Sequence, residues 1–80
     1  MKIKLVAYGI AKDILAAKEK EITVANDATV GSVKNLLLVD YPTFASLTKL
    51  LFAVGVEYRG DDFKLKDGDE VVIIPPVSGG

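Results

Sequence analysis

Near the start of the chain Ile3, Leu5 and Ala7 alternate with Lys2, Lys4, Val6 and Tyr8, the period-2 pattern of a strand with one buried face. Gly9 ends this run. The stretch "IAKDILAAKEK" has only weak helical spacing, and then "EKEITVA" alternates again, with Ile22 and Val24 opposite Glu21 and Thr23. Two strands so close together predict a hairpin with an elaborated connection.

In "NDATVGSVKNLLLVDYPTF" the period lengthens. Val30, Val33, Leu36 and Leu37 fall at i, i+3, i+6 and i+7, with Asp27 or Thr29 as N-cap and Tyr41-Pro42 forcing an exit. Gly31 weakens this helix by up to ~1 kcal/mol relative to Ala. Pro42 is suited to the first position of a further short helical turn in "PTFASLTKL". "LLFAVGVEYR" reads as a tight hairpin, because Gly55 stands where a type II′ turn requires positive φ, with strands ending at Val54 and resuming at Glu57. A brief extended piece around Lys64 to Lys66, an Asp67-Gly68 turn and a final strand from Glu70 to Ile74 complete the order.

The sequence of elements is strand, strand, helix, strand, strand, strand. Its compact solution lays the helix across one face of a mixed sheet, with the first and last strands parallel neighbours in the middle. That is an α+β, β-grasp (ubiquitin-like) layout: four to five strands with one main helix packed on one face. The predicted buried set is Leu5, Ala7, Ile22, Val24, Val71 and Ile73 against Val33, Leu36, Leu37 and Phe52. Residues 1–74 form the domain and residues 75–80 an extended tail.

The same alternation turns Val6, Tyr8, Val72 and Ile74 onto the other face of the central strands, and Tyr58 is a plausible further member. Scattered exposed hydrophobes are ordinary on soluble proteins. Several side by side, however, usually mark a place where a partner docks.

Eighty residues allow one small core, and a half-hydrophobic composition is enough to build it without staples. A net charge of −1 without a basic stripe argues against a nucleic-acid partner. The apolar runs are too short to span a bilayer, and the start does not read as a signal peptide, so the expectation is a cytoplasmic chain. With neither histidine nor cysteine, the commonest bases, metal ligands and redox groups are missing. No serine sits in a G-x-S-x-G setting. Asp61-Asp62 and the run Asp67-Gly68-Asp69-Glu70 could be imagined as metal sites, but they lack the spacing of a calcium loop, and Asp-Gly is ordinary turn chemistry. The lysines at 12, 18, 20, 64 and 66 read as a solvated face, or else as steering toward an acidic partner or anionic ligand. No metal, no bound cofactor and no enzyme activity of the chain alone are expected.

The ending "IIPPVSGG" remains. By chance a Pro-Pro-x-x-Gly-Gly ending has a probability on the order of one in 10⁵. Pro75 and Pro76 lack N–H donors and fix φ, so they end the sheet ladder and stiffen the last few residues of the chain. Gly79 and Gly80 bring no side chains and suit a channel too narrow for a Cβ. Such a channel would receive the Gly80 carboxylate.

At these residues the chain resembles the small subunits of molybdopterin synthase, a family of ubiquitin-like sulfur carriers. The likeness rests on "KDGDEVVIIPPVSGG" and more loosely on "LLFAVGVEY" and the opening strand; it extends to the order of elements throughout and is specific in the last fifteen residues. Family members usually carry Asn at the hairpin position held here by Gly55, a departure that concerns a turn and leaves the tail chemistry untouched.

The resemblance implies that Gly80 is the covalent carrier, adenylated by an ATP-using adenylyltransferase of the ubiquitin-activating type and then converted to a thiocarboxylate by a sulfur donor. Docked next into the large synthase subunit, in a heterotetramer, it would give its sulfur to a pterin precursor of the molybdenum cofactor. Ser78 and Gly79 would thread the channel, Pro75 and Pro76 set the exit, and Val6, Tyr8, Tyr58, Val72 and Ile74 dock both partners in turn. A carrier for thiamine thiazole synthesis or tRNA thiolation shares the fold and ending, and so does a protein modifier whose Gly80 forms an isopeptide. The Pro-Pro pair favours molybdopterin.

Overall fold

The structure is a computed structural model that describes residues 1–47 and 50–75. Five strands form one mixed sheet: β1 (Lys2–Ala7), β2 (Glu19–Thr23), β3 (Leu51–Val54), β4 (Glu57–Tyr58) and β5 (Glu70–Ile74), in the order β2-β1-β5-β3-β4. β1 lies parallel to β5, with Leu5 opposite Val71 and Ala7 opposite Ile73. Its other neighbour, β2, is antiparallel. The parallel central pair flanked by antiparallel strands is the expected layout, and both hairpins are where the alternation puts them.

The helix α2 (Val30–Asp40) begins at Thr29, not Asp27. The Thr29 hydroxyl accepts the Ser32 backbone N–H at 3.2 Å while the Ser32 hydroxyl accepts that of Thr29 at 3.1 Å. This reciprocal cap satisfies two donors that the helix itself cannot. Val30, Val33 and Leu37 face the sheet and are fully buried. Leu36, expected in that set, is only partly buried, because the stripe Val30-Val33-Leu37 already fills the helix-to-sheet contact and places Leu36 at its margin. Ile22 and Val24, at the β2 edge, pack against the core without being enclosed by it.

A second helix, α1 (Gly9–Leu15), occupies the connection whose spacing looked weak, and it buries Ala11 and Leu15. It ends at Ala16 with φ of 61°, a left-handed conformation in which a Cβ costs roughly 1–2 kcal/mol. Nothing in the composition of "LAAKEK" announces such a stop. After α2 a 3₁₀ turn, Pro42–Ser46, seats Phe44 in the core. Tyr41 meets Phe44 edge to face at 6.2 Å, and the Lys20 ammonium donates to the Tyr41 hydroxyl at 2.6 Å, tying β2 to the end of α2.

Gly31 has a role that offsets its poor helix propensity. Its N–H donates to the Asp61 carbonyl at 2.9 Å, and a Cβ there would come within 3.1 Å of that oxygen. The Gly55 turn has positive φ at its first central residue only, as a type II′ turn requires. The extended piece near Lys64 is a single bridge to Thr29.

Candidate functional site

The strand registers align side chains across the face of the sheet that the helices leave open. One row reads Glu19, Val6, Val72, Ala53 and Tyr58, from β2 through to β4. The next row toward the end of β5 holds Ile74 opposite Leu51, and the parallel register extended by one residue sets Tyr8 beside Ile74. In the opposite direction the row is Glu21, Lys4 and Glu70. The open face is therefore divided into an apolar end, where β5 leaves the sheet at Pro75, and a charged end.

Within the apolar end, Tyr58 is 67% exposed, Tyr8 52% and Leu51 41%, and Val72 and Ile74 are half-buried. Val6 departs from expectation. It is on the predicted face but only 3% exposed, because this small side chain on a central strand has Glu19 and Val72 beside it and Lys4 and Tyr8 before and after it. It can form the floor of a docking surface and cannot be one of its projecting contacts. Leu51 and Ala53 were missed, although Leu51 alternates with the core residue Phe52 and the signal was present in "LFAV". Ile10, in the first turn of α1, is also exposed.

At the charged end Lys4 pairs with Glu19 at 3.6 Å and Lys2 with Glu21 at 3.8 Å, both diagonally across β1 and β2. These are exposed pairs and contribute little to stability. The carboxylates of the Asp67-Gly68-Asp69 run serve the turn. Asp67 accepts the Lys2 N–H at 2.7 Å and Asp69 the Lys66 N–H at 2.8 Å, while Gly68, with φ of 86°, donates its N–H to the Lys2 carbonyl at 2.7 Å. No group of three or more acidic side chains is gathered for a metal among the described residues.

Pro75 comes directly after β5 and lies beside Gly9, where a Cβ would be 3.6 Å from the Pro75 ring; Gly9 has φ of 56°, a backbone that favours glycine. The exit of the chain is thus packed against the turn from β1 into α1. Pro76, Ser78, Gly79 and Gly80 lie outside the described residues.

A mixed five-stranded sheet gripping one long helix, with its last strand central and its open face apolar at that strand's end, defines a β-grasp protein of the ubiquitin-like class. The chain belongs to the ThiS family, whose model matches residues 8–80. It is 32% identical over 83 residues to the molybdopterin synthase sulfur carrier subunit of Chlamydomonas reinhardtii, covering 100% of both chains. The crystal structure of SAMP1 from Haloferax volcanii shares the fold with a TM-score of 0.85 at 21% identity, covering 100% of both chains. A chain in the complex of subunits 1 and 2 of the molybdopterin-converting factor from Helicobacter pylori matches with a TM-score of 0.70 at 25% identity, again covering 100% of both. No helix among the described residues is long and apolar enough to cross a membrane.

Proposed function

We propose that this chain is a sulfur carrier for molybdopterin synthesis, acting as the small subunit of a synthase and having no enzyme activity alone. The observation that carries the proposal is the position of the apolar end of the open face, which adjoins the point where Pro75 leaves the sheet. A partner covering Tyr8, Leu51, Tyr58, Val72 and Ile74 is then beside the root of the tail. The pathway is supported by the relatedness to the Chlamydomonas subunit over its whole length. A large-subunit partner is supported by the Helicobacter complex.

In this scheme an adenylyltransferase of the ubiquitin-activating type first binds the apolar face. The Gly80 carboxylate attacks the α-phosphorus of ATP; a phosphorus–oxygen bond forms and pyrophosphate leaves. Hydrosulfide from a sulfur donor then attacks the acyl carbon, AMP departs, and Gly80 carries a thiocarboxylate. On the large subunit that sulfur bonds to a carbon of the pterin precursor as a carbon–oxygen bond there breaks and the oxygen substituent leaves. Water then cleaves the acyl–sulfur bond, leaving the sulfur on the precursor and restoring the Gly80 carboxylate. Two sulfurs require two charged carriers or one recharged. Because both partners use one face, their binding is mutually exclusive. Pro75 and Pro76 set the direction of the tail, and Ser78 and Gly79 thread the partner's channel.

The test is intact mass spectrometry after incubation with ATP, an adenylyltransferase and sulfide. A carrier gains the mass difference of oxygen replaced by sulfur at its C-terminus. A protein modifier appears instead on other proteins, and an unchanged mass with every candidate activating enzyme defeats the carrier proposal.

A further inference from the structure

The run Asp67-Gly68-Asp69-Glu70 divides into residues with a structural task and one without. Asp67 and Asp69 accept backbone N–H groups, and Gly68 supplies the left-handed turn. Glu70 contributes its backbone to β5, but among the described residues no hydrogen bond or ion pair engages its carboxylate. Register places it next to Lys4, yet the Lys4 ammonium turns the other way, to Glu19. On its opposite flank the β3 ladder has run into the turn, where Gly55, whose N–H lies 3.4 Å from the Glu70 carbonyl, offers no side chain. Glu70 is exposed, on the open face, two residues along β5 from Val72 and so at the border of the apolar end.

Among the described residues the lysines of this face do not balance its acids. Lys2 and Lys4 stand against Glu19, Glu21 and Glu70, and the two ion pairs leave Glu70 as the remainder. A carboxylate at the rim of an apolar patch fits a cation on the molecule that covers the patch, and such rim charges act on encounter rate and orientation more than on the final affinity.

We propose that Glu70 orients docking by meeting an arginine or lysine side chain on the large subunit. This inference rests on the carrier reading above, and it adds the chemistry that the partner surface presents opposite Glu70. An ammonium or guanidinium beside Glu70 fixes the rotation of the partner about the apolar contact, so that its channel faces Pro75 instead of the charged end.

The test measures association of the chain with the separately purified large subunit of the same organism, at low and high salt, for the native chain, Glu70→Gln and Glu70→Lys. Glu57→Gln, a change on the opposite face at β4, serves as the control. Thermal midpoints should be unchanged by both Glu70 substitutions. The association rate should fall about threefold for Glu70→Gln and about tenfold or more for Glu70→Lys at low salt, with the differences shrinking as salt screens the charge. Native binding with equal rates and equal salt dependence for all four chains overturns the Glu70 inference and leaves the carrier reading standing. A native chain that fails to bind the large subunit overturns both. A lowered thermal midpoint for Glu70→Gln assigns the residue a structural task and overturns the inference.

Discussion

The two faces of the central strands are built from the same alternation and do opposite work. Leu5, Ala7, Val71 and Ile73 are at most 1% exposed beneath the helices, whereas the residues between and beside them, Val72, Ile74 and Tyr8, remain partly or largely open. On the covered face, burial of each side chain stabilises the fold through area removed from water. On the open face a similar chemistry leaves that free energy unrealised until another molecule arrives. Hydrophobicity alone therefore separates nothing here; the position of the helix decides which residues hold the fold and which are available to a partner.

Substitutions should separate the two faces. Ile73→Ala, beneath the helix, should lower stability by about 2–5 kcal/mol in chemical denaturation. A smaller loss, within the range of a surface change, would show that the covered face is not the core. Tyr58→Ala, on the open face, should leave stability within about 0.5 kcal/mol while weakening association with the large subunit by about 2 kcal/mol, read by calorimetry. Unfolding by Tyr58→Ala would abolish the distinction. The smallest effect concerns the helix that creates the difference. Gly31→Ala should cost about 1 kcal/mol in denaturation, despite alanine's better helix propensity, because the added methyl group presses on Asp61. A gain in stability would mean that the Asp61 loop yields freely.

The strands and their order were legible because period-2 alternation survives wherever one face is covered, and β5 was read to the residue. The long helix was legible for a related reason, since an amphipathic period is a local signal, while its cap was narrowed only to Asp27 or Thr29 and the Ser32 hydrogen bonds decided between them. α1 was not, because a seven-residue helix that buries only Ala11 and Leu15 shows too little of its period. Val6 was assigned to the correct face and the wrong exposure. Alternation reports direction, but cover depends on which strands stand alongside and how long their side chains are. At the candidate site Tyr8, Tyr58, Val72 and Ile74 were found by alternation; Leu51 carried the same signal in its alternation with Phe52, and the pairing of β3 with β5 sets it opposite Ile74. The acids of 67–70 looked alike in sequence, and only their hydrogen bonds set Glu70 apart.

The central place of β5 has a mechanical consequence. Tension on Pro75, as when the end of the chain is drawn into a narrow channel, runs along a strand bonded on one side to β1 and on the other to β3. Both ladders lie across the line of force, so their hydrogen bonds share the load in shear and are not opened one after another from an edge. A strand at the rim of the sheet would carry the same load on one ladder alone. This one is held from both sides, so a pull along Pro75 is divided between two ladders before it reaches the core.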